Sequence, residues 1–238
     1  MGHLLAKDLR LVAPYLWLIV PAHVLFCVQA FLVPELDFWM NLAVALAWTA
    51  AIALVEWQSD TDRLLASLPA ARTTIVEARY ASSLAAVAIG ALLYVVYGHA
   101  VMAVATDRLT ARWSGTTPAW TSADGVAAFL LLGYVLVVAF LPFYFRFGFP
   151  RGATLFSVSA AVAIAVATAL TRLGGRGEFA AGPAHAGLAP SETVRGWLSS
   201  LSAWLGPELA SLSVLAAAAA LGVLSVRLSI QFYKGRDL

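Results

Sequence analysis

The stretch VAAFLLLGYVLVVAFLPFYF, residues 126–145, carries no charged side chain, and its reading decides the class of fold. A helix rises about 1.5 Å per residue, so roughly 20 apolar residues cross a hydrocarbon core about 30 Å thick. Working outward, comparable apolar blocks occupy residues 11–33, 38–55, 81–105, 153–170 and 209–230, which gives six expected transmembrane helices. Of the 238 residues, 61% are hydrophobic and 12% charged, about half the charge of a soluble domain. So many all-apolar blocks exceed what one small soluble core can enclose. The reading is an all-α polytopic membrane protein, one membrane domain over 1–238.

Other classes are set aside by what the chain lacks. Cys27 is the single cysteine, so neither a disulfide framework nor a cysteine metal cluster is possible. A formal charge of +2 with scattered basic residues argues against a nucleic-acid surface. The opening MGHLLAKDLR has no short apolar stretch with a small-residue cleavage site and no Ser or Thr of a myristoylation signal. The first block is therefore expected to be retained, without a lipid anchor.

Charge sidedness orients the spans. With both termini cytoplasmic, Lys7, Arg10, Arg63, Arg72, Arg79, Arg146, Arg151, Arg227, Lys234 and Arg236 fall inside. Arg108, Arg112, Arg172, Arg176 and Arg195 fall outside, a two-to-one bias in the direction of the positive-inside rule. Over residues 1–12, Leu5, Leu9 and Val12 share one helical face while His3, Lys7 and Arg10 share another. That pattern fits an interfacial amphipathic helix or, more simply, the charged start of the first span. In the outer segment 171–207, a Gly/Ala/Pro-rich loop precedes Val194, Trp197, Leu198, Leu201 and Trp204 at helical spacing, which suits a helix lying at headgroup depth.

No Asp, Glu, Lys or Arg lies near the midpoint of an expected span, whereas ion-coupled transporters generally place an ionisable group at depth. The phosphate-cradling G-x-x-x-x-G-K-[ST] loop is absent, so the chain is not its own P-loop ATPase. The polar groups in the spans are His23, Asn41, Tyr94, Tyr97 and His99, either bonding between helices or contacting a substrate. G-x-S-x-G is absent too, leaving no sign of a serine nucleophile. Asp60 and Asp62 are either water-facing acids of a first helical turn or two carboxylates of a metal-dependent membrane transferase.

Residues 56–80, EWQSDTDRLLASLPAARTTIVEARY, are the most informative cytoplasmic stretch. Ser59 and Asp62 have capping-box spacing, Leu64, Leu65 and Leu68 form an apolar face, and Pro69 blocks simple continuation. A short helix over about 60–68 follows, lying along the membrane surface. Thr74 and Glu77 repeat the spacing, so a second helix is expected to start at Thr74 and run into the third span.

This segment resembles the corresponding loop of bacterial ABC-2 family permeases. There an acidic stretch leads to a small-residue-Leu-Pro-x-x-Arg block, an aliphatic pair, and a basic residue before an aromatic. Ser67-Leu68-Pro69-Ala70-Ala71-Arg72, Ile75-Val76 and Arg79-Tyr80 carry the match. Leu5-Ala6-Lys7-Asp8-Leu9-Arg10 is similar to the family's amino-terminal interface helix, and 142–148 (PFYFRFG) and 225–237 extend the likeness.

The resemblance implies an export permease without a nucleotide-binding domain, in the bacterial cytoplasmic membrane. It implies two permease subunits, identical or related, with two separate ATPase subunits that hold ATP and Mg, while this chain carries no cofactor or metal. It assigns the coupling contact with the ATPase to Asp60, Asp62, Arg63, Leu64, Ser67, Leu68, Pro69 and Arg72, and the interface helix to Lys7, Asp8, Leu9 and Arg10. Membrane lipids are the remaining expected partner. A small-residue run, Ser157, Ser159, Ala160, Ala161 and Ala163, offers a close-packing face for a second subunit or for a neighbouring helix. A non-transporting structural subunit is a further alternative.

Overall fold

A computed structural model describes residues 10, 13, 17, 21–22, 24–25, 34–58, 72–104, 122–174 and 206–235. Among them, five long helices account for nearly everything: α1 (Pro34–Gln58), α2 (Arg72–Val104), α3 (Ala123–Phe147), α4 (Phe149–Gly174) and α5 (Pro207–Lys234). No strand occurs among the described residues. Each expected block from the second to the sixth falls on one of these helices, to within a residue. Four stretches are long and apolar enough to cross a membrane: Phe38–Val55, Arg72–Ala100, Gly125–Phe147 and Glu208–Lys234. The fifth expected span, 153–170, lies within α4. The first, 11–33, lies largely outside the described residues, as does the outer segment between α4 and α5.

The helix ends follow local chemistry. Ser122 caps α3, its hydroxyl accepting from the N–H of Gly125 at 3.0 Å. Pro207 opens α5 where its missing N–H costs nothing, and Glu208 complements the dipole there. Between α3 and α4 the chain reverses through Gly148 alone, at φ 74°, a left-handed conformation that favours glycine. So tight a reversal brings the helices close: a Cβ on Gly152 would sit 2.8 Å from the Phe143 carbonyl oxygen. α2 begins at Arg72, two residues before the start that the Thr74 spacing predicts. α1 and α2 thus enter the 56–80 stretch from both ends and leave 59–71 between them.

α3 is the hub, packing against each of the other four helices. α1 and α2 run antiparallel, with Ala45 against Gly90; a Cβ on that glycine would lie 2.5 Å from the Ala45 Cβ. α2 is antiparallel to α3, with Val87 against Gly133, and α5 runs parallel to α3. At one end Phe38, Tyr94 and Phe129 cluster, the Tyr94 and Phe129 rings stacked at 5.2 Å. At the other, Val76, Tyr80, Leu141, Tyr144, Phe145 and Tyr233 pack together. Leu92, Val96, Val158, Val162, Leu212 and Leu215 face outward. Lipid is as apolar as these side chains, so the bundle is held by close van der Waals packing and interhelical bonds rather than by expulsion of water.

The Ala45–Gly90 approach yields a reciprocal test. Gly90→Ala should destabilise the bundle by about 1–3 kcal/mol through overpacking, read as a shifted midpoint of unfolding in denaturing detergent. Adding Ala45→Gly should return much of the loss, and a Gly90→Ala variant as stable as wild type would contradict the packing.

Candidate functional site

Pro142 lies in the interior of α3. Without an N–H it leaves the carbonyl four residues earlier, that of Val138, without its helical donor. In lipid such a carbonyl must find another partner. Ser225 of α5 supplies it, its Oγ donating to the Val138 oxygen at 2.6 Å. With that proton committed, Ser225 Oγ accepts from the Tyr80 hydroxyl of α2. Tyr80, its own proton used, accepts from Ser229 Oγ at 2.8 Å. Proton counting therefore fixes one direction, Ser229 to Tyr80 to Ser225 to the Val138 carbonyl, and the hydroxyls in it are all buried. Higher on the same seam, Tyr134 donates to the Ala218 carbonyl at 2.7 Å, with Gly222 leaving room for the phenol.

The node sits below a basic, aromatic end of the bundle. Arg72 Nη1 donates to the carbonyls of Tyr233 and Lys234, at 3.1 and 2.8 Å, and its guanidinium lies 5.9 Å from the Tyr233 ring centre. These carbonyls belong to the last turn of α5, which lacks helical donors and carries the negative end of the dipole, so a cation from α2 is well placed there. Arg79, buried two turns further in, lies over Tyr144, and Arg146 over Phe232 at 5.4 Å. Arg72, Arg79, Arg146 and Lys234, which the charge bias assigns to one side, are thus gathered at one end. Arg79 falls inside the apolar stretch Arg72–Ala100 rather than before it.

Of the residues assigned to the coupling contact, Arg72 alone is described, and its guanidinium is engaged within the chain. Asp60, Asp62, Arg63, Leu64, Ser67, Leu68 and Pro69 lie outside the described residues, with Lys7, Asp8, Leu9 and His23. Arg10 is exposed and helical. Among the described residues no group of His, Cys, Asp or Glu could hold a metal ion. Asn41 and Tyr94 are fully buried between helices, Tyr97 is partly buried against the Phe38 cluster, and His99 is exposed with Nδ1 2.8 Å from the Val95 carbonyl. Ser157, Ser159 and Ala161 lie on the exposed face of α4.

Sequence reading missed the node. Its signals were a proline within an apolar span and two serines four residues apart on another, each unremarkable until the helices are placed. Of the segments that carried the resemblance, the described parts of three, 75–80, 142–148 and 225–234, meet at this end of the bundle.

A family model described as "ABC-2 family transporter protein" matches residues 3–234. No curated protein and no solved structure matches the chain.

The proline account is testable by a double-mutant cycle. Ser225→Ala strands the Val138 carbonyl and should cost about 1–3 kcal/mol. Pro142→Ala restores the helical N–H, so the pair should be less destabilised than the sum of the single changes, measured by unfolding in detergent. Strict additivity would show that the serine is not answering the proline.

Proposed function

The chain belongs to the ABC-2 transporter family, and from that premise we propose that it is the membrane permease subunit of an exporter powered by a separate ATPase. ATP and Mg bind on that partner. Two permease subunits stand over two ATPase subunits in a bacterial cytoplasmic membrane, with both termini of this chain cytoplasmic. Residues 59–71 form the seat for the ATPase, with Leu64, Leu65 and Leu68 filling a groove and Asp60, Asp62, Arg63 and Ser67 around them. Pro69 ends the seat, and Arg72 passes its motion into the membrane.

The observation that carries this reading is the position of Arg72. It is the first residue of a helix unbroken from Arg72 to Val104, and it also grips the last turn of α5. A displacement of 59–71 therefore acts on two membrane helices at once. One receives it end-on, through a stiff rod; the other through two charge-assisted hydrogen bonds. Tyr80 and Ser225 then link both helices to α3. No side chain of this chain need react: its part is to convert a push at the membrane surface into relative motion of packed helices.

Two substitutions separate docking from transmission. Leu68→Asp should reduce ATPase activity of the assembled complex to that of the ATPase alone, with membrane insertion unchanged. Arg72→Gln should leave the ATPase bound while lowering substrate exported per ATP by about tenfold, the factor for losing roughly 1.5 kcal/mol of charge-assisted bonding. Affinity purification from native membranes reads the first step: a co-purifying G-x-x-x-x-G-K-[ST] protein is expected, and its absence after crosslinking would remove the energy source.

A further inference from the structure

A groove of about 400 Å³ runs between α3 and α5. Pro142 and Phe143 form one wall, Leu221, Leu224 and Leu228 the other. Ser225 lies at its floor, but its hydroxyl is turned to Val138 and Tyr80, so it offers the groove little polarity. Arg146 and Phe232 stand at one end. Arg146 is exposed, belongs to the last turn of α3, and finds no carboxylate among the described residues; its contact is with the face of Phe232. The apolar stretch of α3 ends at Phe147, which sets Arg146 at headgroup depth.

An occupant must satisfy both parts of this site. A long apolar chain suits the walls, and an anion suits a guanidinium at the membrane surface. A neutral lipid would gain nothing from Arg146, a zwitterionic one less than an anionic one because its own cation offsets the attraction of its phosphate, and a soluble anion would leave the walls bare. The exposure of Leu221, Leu224 and Phe147 keeps the groove open along its length, so an acyl chain can enter sideways from the bilayer. Basic pockets between membrane helices on the cytoplasmic side recognise anionic headgroups by this chemistry.

We propose that the groove between α3 and α5 binds an anionic phospholipid, with one acyl chain along Pro142, Leu224 and Leu228 and the phosphate on Arg146. The lipid lies against the outer side of the Val138–Ser225 bond, so it braces the pair of helices that this bond joins. The inference requires a membrane-spanning chain but not the ATPase assignment, and stands or falls separately from it.

Native mass spectrometry of the full chain in mild detergent tests it, by titration with phosphatidylglycerol and phosphatidylcholine of identical acyl chains. Phosphatidylglycerol should be retained preferentially. Arg146→Gln should lower its affinity about fivefold, the factor for one basic residue at an anionic surface, with phosphatidylcholine affected less, so that the preference narrows. Arg146→Lys should keep the preference, which guards against a merely structural loss. Leu224→Trp should lower the binding of both lipids by obstructing the chain. Equal retention of the two lipids, or an unaltered preference in Arg146→Gln, would overturn the proposal. So would a Leu224→Cys variant, in a Cys27→Ser background, that crosslinks to a second copy in lipid, since the groove would then be a subunit contact.

Discussion

The carbonyl of Val138 is the constraint on which the inner half of the bundle depends. Proline in a membrane helix removes a donor in a solvent that cannot replace it. The chain answers from a residue 87 positions away, through Ser225. That bond holds α5 close to α3, and with the Tyr134–Ala218 bond and the Phe145–Tyr233 ring contact it fixes the parallel register of the two helices. Tyr80 then adds α2 by using the lone pairs that Ser225 has left. Three helices meet because one of them contains a residue that cannot complete its own backbone.

This bond works alongside several others at α5, which packs along α3 and against α2. Much of its surface is exposed, including Leu209, Leu212, Leu215, Val223 and Leu224. Its seam toward α3 and α2 combines small or hydroxylated residues, Ala218, Gly222, Ser225 and Ser229, with Val226, Ile230 and Tyr233. Small residues let backbones approach, but they contribute little contact area each, so directional bonds carry more of the specificity. Arg72 at the helix end and Tyr134 midway repeat the arrangement, each donating to an α5 carbonyl. α5 is therefore positioned both through its own hydroxyls and through its backbone acceptors.

The helices were legible in the sequence because a bilayer imposes a length and a polarity that one chain alone must meet. Residues 38–55 coincide with the apolar stretch found in α1, and 126–145 lies within α3. Family membership was legible for a different reason, through Ser67 to Arg72 and Arg79-Tyr80, which a family model covering 3–234 bears out. The site was not. Capping-box spacing at Thr74 describes an isolated helix start, whereas α2 begins at Arg72, where the guanidinium is held by another helix. Pro142, Ser225 and Ser229 stood in the sequence without any local pattern to join them, since hydrogen bonds between helices have no period along the chain.

The two ends of the bundle differ in the kind of contact they use. At one end Phe38, Tyr94 and Phe129 meet as rings, and Ala45 meets Gly90. Contacts of this sort are individually small and depend on close fit. At the other end, guanidinium-to-carbonyl bonds and a directed chain of hydroxyls admit one arrangement, because each proton has one place to go. Under the proposed function, a push from the side of residues 59–71 would meet this basic end first, where directed bonds join α2, α3 and α5.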